Sequence, residues 1–280
     1  MGWDKMREQR HKRMKEMGLI DPKWKLSDRD SRSYDWTTAN HDHEDLRMAV
    51  YAAMIDSMDQ NIGRLMTALK KSGEVDNTLV LFLSDNGGCA EEPGGRDMSQ
   101  VPGLPETYTA VGPSWGWAQN TPFRRYKARM YEGGIATPFI AYWPDVIKAN
   151  TMTNQVGHII DLLPTFLDIV DKSYPKTRNG ISILPVEGLS LLPIFQGKQR
   201  AGHQTLYWHF SGNRAVRQTK WKLVWDKSFK QWELYDLIAD RTESHNLAAS
   251  YPDRVKQMQM LYQTWAILTD VEAPIPTRSK

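Results

Sequence analysis

Leu79-Val80-Leu81-Phe82-Leu83-Ser84-Asp85-Asn86-Gly87-Gly88 is a run of five apolar residues that ends abruptly in oxygen-bearing side chains and two glycines. A short, continuously apolar run fits a buried strand of a parallel sheet covered by helices on both faces. In such sheets ligands gather just beyond the carboxyl ends of the strands. Asp85 and Asn86 stand at that edge. A carboxylate and an amide carbonyl are hard oxygen donors, suited to Ca²⁺ or Mg²⁺ rather than to a thiolate-seeking metal, and Gly87-Gly88 lets backbone pass close by. The same residues also read as the Asn-Gly turn of a hairpin with Asp85 capping it, and the stretch alone leaves both readings open.

The 280 residues give room for one large or two small domains. With 40% hydrophobic and 25% charged residues the chain is globular rather than disordered. The net charge of +3 is local: residues 1 to 36 hold ten Lys/Arg against seven Asp/Glu, and the remainder balances at 26 against 26. Basic residues interleaved with acidic ones describe a solvated helix face, so nucleic acid is not an expected partner. The one cysteine, Cys89, excludes an intrachain disulfide, and no Cys or His cluster has zinc spacing. No apolar run approaches the ~20 residues of a membrane span, and the first ten residues lack the apolar centre of a signal peptide. A soluble chain, cytoplasmic or periplasmic, is expected.

Outward from the organising strand, about Thr78 to Ser84, the periodicity changes. Asp4 to Met17 favours helix and stops at Gly18 and Asp21-Pro22, and residues 21 to 43 read as an extended connector. From Glu44, the residues Met48, Tyr51, Ile55, Met58, Ile62, Leu65 and Leu69 recur at spacings of three and four until Gly73, which predicts a long helix with one face on the sheet. Asp56 and Asp59 lie on its flank and are not read as a metal pair. Residues 87 to 122 hold seven Gly and five Pro and read as a long substrate-facing loop, with Trp115 and Trp117 assigned to packing ahead of ligand stacking. A second apolar strand is predicted at Ile135 to Trp143, a helix between Gly157 and Asp171 that begins near Asp161, and a short helix between Gly188 and Gly197. Thr205 to Phe210, Arg214 to Arg217, Trp221 to Trp225 and Gln231 to Leu237 predict an antiparallel sheet, and Pro252 to Leu268 a last helix. The expected fold class is α/β, with residues 1–200 in an α/β core and residues 201–280 in a small sheet-plus-helix domain.

Leu83-Ser-Asp-Asn-Gly-Gly, then Lys127 with Tyr131-Glu-Gly-Gly-Ile-Ala-Thr-Pro138 and Trp143-Pro144, resembles the second half of a formylglycine-dependent sulfatase of the alkaline phosphatase superfamily. Asp161-Leu-Leu-Pro-Thr, Glu187-Gly-Leu-Ser-Leu, Asn213-Arg-Ala-Val-Arg217, Lys220-Trp-Lys-Leu223 and Trp232-Glu-Leu-Tyr-Asp-Leu237 with Asp240-Arg-Thr-Glu243 continue the likeness to bacterial arylsulfatases, in order and spacing, over nearly the whole chain. The resemblance implies hydrolysis of a small-molecule sulfate monoester. It gives Asp85 and Asn86 the role of ligands to a divalent cation, usually Ca²⁺ and otherwise Mg²⁺, and Lys127 that of a sulfate contact. A cation and an ammonium would neutralise sulfate oxygens where charge gathers during attack.

In the family the nucleophile is a formylglycine made from Cys or Ser in a Cys/Ser-x-Pro-x-Arg segment, and that segment is expected to be absent here. Asn120-Thr-Pro-Phe-Arg124 has the proline and arginine but no oxidisable residue, and Cys89-Ala-Glu-Glu-Pro fails as well. The resemblance puts the nucleophile, paired aspartates for the cation, an early lysine and histidine and a later histidine ahead of Gly2-Trp-Asp4. The chain is therefore expected to be a carboxyl-terminal piece of a sulfatase core, its amino-terminal part missing, and inactive alone. None of the seven histidines is assigned a catalytic role, and His158 reads as a packing residue. A phosphoester or phosphonate hydrolase of the same superfamily, or a non-catalytic binding module, is the alternative.

Overall fold

The computed structural model describes residues 1–92 and 99–271. In chain order the elements are α1 (Trp3–Glu16), α2 (His41–Ser72), β1 (Val80–Leu83), α3 (Gly112–Gln119), a single turn α4 (Glu132–Ile135), β2 (Phe139–Tyr142) and α5 (Leu162–Ile169). There follow β3 (Thr177–Arg178), β4 (Ile181–Ser182), α6 (Leu192–Phe195), β5 (Thr205–Phe210), β6 (Asn213–Gln218), β7 (Trp221–Asp226), β8 (Gln231–Asp236) and α7 (Pro252–Leu268). They group into two compact units, one of residues 1–60, 84–138 and 205–280, the other of residues 61–83 and 139–204. The expected boundary near residue 200 coincides with a change of unit, but the residues before it divide between both.

In the first unit β5 to β8 form an antiparallel meander in sequence order. Successive side chains point to opposite faces of a strand, and here both faces are covered. Val216, Leu223 and Leu234 pack with Met258, Tyr262 and Ala266 of α7, while Ala215, Val224 and Tyr235 pack with Met130 and Tyr131. A third cluster joins Trp3, Val111, Trp115, Trp117 and Ala118, with Met48 and Tyr51 of α2 against it. Trp115 and Trp117 are thus core residues, as their packing assignment requires; their indole N–H groups donate to Glu44 Oε2 at 3.0 Å and to the Asp28 carbonyl at 3.2 Å. Arg7 departs from the solvated face expected of α1. It is fully buried, with its guanidinium donating to Ser27 Oγ and to the Trp117, Pro122 and Phe123 carbonyls, and burial lowers its pKa to about 9.

Three expectations are corrected. The 87–122 stretch is not all loop, because Pro113 sits in the first turn of α3, a helix buried nearly all round; residues 93–98 of the stretch lie outside the described residues. The apolar stripe of α2 does not run along a sheet: Ile55, Met58 and Leu65 are exposed. The organising strand is neither parallel nor deeply buried. In the second unit β1 pairs antiparallel with β2, Val80 opposite Tyr142 and Leu83 opposite Phe139, and Phe82 and Ile140 face solvent. The second unit also holds His158 and Asp161 in a reciprocal cap: His158 Nδ1 accepts from Ile160 N at 3.3 Å, and Asp161 Oδ2 accepts from His158 N at 2.9 Å. Buried Asp161 further accepts from Arg200 and pairs with His203, so His158 caps a turn whose acidic partner is itself held in place. Among the described residues no helix is long and apolar enough to cross a membrane.

Candidate active site

Beyond Leu83 the chain enters a tight loop fixed from several sides. Ser84 Oγ donates to the Asn86 carbonyl at 2.8 Å, and the Ser84 carbonyl accepts from Thr137 Oγ1 at 3.0 Å. The Gly87 N–H donates to the Gly134 carbonyl at 3.0 Å, and the Gly88 N–H to Asn120 Oδ1 at 2.8 Å. A Cβ on Gly87 would fall on the Gly133 carbonyl oxygen, so the close approach, rather than a left-handed backbone, is what requires glycine there. These contacts leave the Asp85 carboxylate exposed and Asn86 half-buried at the loop's turn. The loop is not the two-residue turn of a hairpin: β1 pairs with β2 across 55 intervening residues, and the strand-then-oxygen-donor reading holds in that respect.

The second half of the site is the segment 124–134, which carries Lys127. Its residues Arg125 and Ala128 are left-handed, at φ 64° and 69°, a conformation that costs a non-glycine residue on the order of 1 kcal/mol or more and persists only where surroundings hold it. The small sheet supplies the hold. Asn213 Nδ2 donates to the Ala128 carbonyl at 2.9 Å, Arg129 pairs with Asp226 at 3.1 Å, and Tyr131 Oη donates to Glu233 at 2.5 Å. Arg124 donates to Tyr235 Oη and to the Glu243 carbonyl, each at 2.9 Å. Glu132 meets Lys222 at 2.7 Å and Arg241 at 2.5 Å. Gly133 and Gly134 have no room for side chains, because the Arg124, Arg125, Tyr126 and Arg129 carbonyls press against them.

Lys127 sits between these anchors. Its backbone N–H donates to the Gly88 carbonyl at 3.1 Å, which ties it to the Asp85-Asn86 loop, and its ammonium lies 3.4 Å from Glu91 Oε1. Cys89, when ionised, and then Glu91 raise the Lys127 pKa, with a smaller contribution from Asp85; Lys127 is therefore a cation throughout the neutral range. The structure thus brings Asp85, Asn86 and Lys127 to one corner of the first unit: a carboxylate and an amide beside a charged ammonium. The chemistry of the pair suits a hard divalent cation. It offers two oxygens where Ca²⁺ takes six to eight, and no group of three or more His, Cys, Asp or Glu among the described residues could hold a metal.

Asn120, Glu132, Lys222 and Glu243 have no role in the sequence reading. All four lie inside recognisable motifs, but what they do depends on partners 32 to 111 residues away. On β7 and β8 the charged residues Lys222, Asp226 and Glu233 alternate with apolar ones, a pattern that spells a solvent-facing side. That side is instead buried under segment 124–134.

One segment does spell Cys/Ser-x-Pro-x-Arg, which corrects the expectation that the motif is absent: Ser250-Tyr251-Pro252-Asp253-Arg254. Its surroundings are those of a helix entry. Ser250 is exposed and its N–H donates to the Leu247 carbonyl, Pro252 opens α7, and Arg254 donates to Gln257. Tyr251 packs on Trp221. Trp221 and α7 belong to the cluster on the far face of the sheet from Met130 and Tyr131, so the sheet lies between this helix entry and segment 124–134.

A family model described as sulfatase matches residues 19–172, and one described as N-sulphoglucosamine sulphohydrolase, C-terminal, matches residues 123–267. An uncharacterized sulfatase of Schizosaccharomyces pombe is 31% identical over 92% of this chain and 50% of its own length. An arylsulfatase of Klebsiella aerogenes is 29% identical over 71% of this chain and 46% of its own. A solved structure of a protein in complex with its substrate D-glucosamine-2-N,6-O-disulfate has a TM-score of 0.55 at 24% identity, over 81% of this chain and 42% of that one; at that identity the likeness is one of fold. The chain thus spans about half the length, or less, of the curated relatives it matches. The motifs, the fold and a sulfatase model covering more than half of the residues agree, and the chain belongs to the sulfatase family.

Proposed function

We propose that this chain carries the cation-and-lysine side of a sulfate-ester hydrolase site, in which Asp85 and Asn86 hold a divalent cation, Ca²⁺ or Mg²⁺, and the Lys127 ammonium holds a sulfate oxygen. The observation that supports it most directly is the Lys127 N–H bond to the Gly88 carbonyl, because it ties the least buried cation of segment 124–134 to the loop that bears the oxygen donors. A bound cation would supply electrostatic stabilisation of the sulfate oxygens. Lys127 would add a preorganised positive charge aimed at the same group, and its pairing with the Glu91 carboxylate supports that reading.

The experiment is a calorimetric titration of the chain with p-nitrophenyl sulfate in excess Ca²⁺. Binding that is lost in Lys127→Ala, and weakened when Ca²⁺ is removed or in Asp85→Ala, supports the proposal. Binding left unchanged by both substitutions defeats it.

A further inference from the structure

We propose that Lys222, with Glu132 and Glu243, is the positioning unit of the site: it fixes the Gly133-Gly134 backbone from which the Asp85-Asn86 loop is hung. The significance of that placement rests on the sulfate-site reading of Asp85, Asn86 and Lys127, but no step of the reaction enters it.

Lys222 projects from β7 and is fully buried. Its Nζ lies 2.7 Å from Glu132 Oε1 and 2.8 Å from Glu243 Oε1. The second contact is an ion pair out of line for a hydrogen bond, since Glu243 Oε1 has no hydrogen-bond partner. The other oxygen of Glu243 accepts the backbone N–H of Glu132 at 2.6 Å, and Arg241 Nε donates to Glu132 Oε2 at 2.5 Å. Residue 132 is therefore gripped twice, by its backbone from Glu243 and by its side chain from Lys222 and Arg241. One residue on, the Gly133 carbonyl fills the space a Gly87 side chain would need, and two residues on, the Gly134 carbonyl takes the Gly87 N–H. From strand to metal loop the connection is continuous: Lys222, Glu132, Gly133-Gly134, Gly87, Asn86 and Asp85.

Stability alone is a poor reason for this cluster. Burying charges costs solvation that their attraction barely repays, and apolar side chains of similar volume are often as stable or more so. What charges provide and apolar side chains do not is a defined geometry, because each buried hydrogen bond and ion pair fixes the separation and direction of its partners. Lys222 is fully buried and pairs only with carboxylates, so it acts through Glu132 and not on a substrate.

The test is amide hydrogen exchange of the ligand-free chain at residues 84–90 and 123–136, compared with Lys222→Met and Glu132→Gln variants. Exchange at the Gly87, Lys127 and Gly133 amides is expected to rise by about 10-fold or more in Lys222→Met while the amides of β5 and β6 keep their protection, since a local unit is freed and not the sheet. Should Lys222→Met fail to fold, Glu132→Gln and Arg241→Met, each removing part of the grip, should raise exchange at the same three amides by about 3-fold or more. Unchanged exchange at those amides in a folded variant, or a rise shared equally by β5 and β6, overturns the proposal. Failure of the sulfate-site reading would show in the p-nitrophenyl sulfate titration and leave these exchange rates untouched.

Discussion

Gly87 is where the loop and its support come closest, and a single methyl group tests the contact. Gly87→Ala drives a Cβ into the Gly133 carbonyl, a backbone atom that cannot rotate away, so the loop or α4 must shift. The expected loss is roughly 1–3 kcal/mol, in the range of other overpacking substitutions, read as a lower urea midpoint at unchanged slope; a midpoint equal to that of the unsubstituted chain would show that the approach is looser than described. Lys127 should behave in the opposite way. Its side chain is 37% exposed and its ion pair with Glu91 is a surface one, so Lys127→Ala should leave the urea midpoint unchanged while removing sulfate binding. Lys127→Arg should restore little of that binding, because a planar guanidinium is not a compact point charge; full binding by the arginine variant would argue against a dedicated sulfate contact. The role proposed for Asp85 and Asn86 starts from a local pattern, two oxygen donors ahead of Gly87-Gly88, whereas that of Lys127, six residues ahead of Gly133, comes only from the family resemblance. Asn120, 32 residues from the Gly88 N–H it accepts, was not legible in the sequence, since no local pattern marks a long-range hydrogen bond.

Among the elements, β5 to β8 and α7 were legible nearly to the residue, because alternation and tight turns are local properties. The direction of β1 was not. Five apolar residues predict burial on two faces, which exposed Phe82 does not meet, and they carry nothing about which strand pairs with them; β2 runs the other way. The glycine and proline content of residues 99–122 hid α3, whose buried tryptophans outweigh its weak helix propensity. The charged side of β7 and β8 alternates as a solvent-facing one does, yet it is buried, and burial shifts the carboxylates around Lys222. Burial, opposed by Lys222 and reinforced by Glu132, raises Glu243 to about 7. For Glu132 burial works in the same direction, but Lys222 and Arg241 outweigh it and hold the group well below the carboxylate range. A carboxyl group raised on folding contributes stability that is complete below its unfolded value near 4.5 and is lost as pH rises through its folded value. Glu132 has the opposite sign, and its contribution disappears only as pH falls below about 4.5. Between pH 5 and pH 8 Glu243 therefore dominates the pair, and the chain should lose on the order of 1–3 kcal/mol over that interval from this group. Urea unfolding of the chain and of Glu243→Gln at both pH values measures it. The variant should show a smaller decline, and equal declines would mean that Glu243 is ionised at pH 5.

For the whole molecule, nearly the entire sequence carried the family signature, and family membership is the part of the reading on which fold and comparison agree. Completeness of a site is another matter, because it depends on residues brought together from the full length of a fold, and this chain spans half or less of its curated relatives. Two oxygen donors leave most of a Ca²⁺ shell to water, so calorimetry should give Ca²⁺ binding weaker than micromolar; micromolar or tighter binding abolished by Asp85→Ala would mean that further ligands are present and unrecognised. The same reasoning sets the expectation for turnover. Lys127 and a cation can orient a sulfate, but acceleration needs an attacking atom held in line with the sulfur. The one literal nucleophile motif, Ser250 to Arg254, lies at the entry of α7 on the face of the sheet away from segment 124–134. Incubation of the chain with p-nitrophenyl sulfate and Ca²⁺ under single-turnover conditions should therefore release no nitrophenol above the uncatalysed background. Release that depends on the metal and vanishes in Asp85→Ala would refute this expectation. If that release also vanished in Ser250→Ala, the α7 entry would be the nucleophile and its place in the fold would need another explanation; if it survived, the attacking group would have to be sought among the residues around Lys127, with Cys89 the first to substitute.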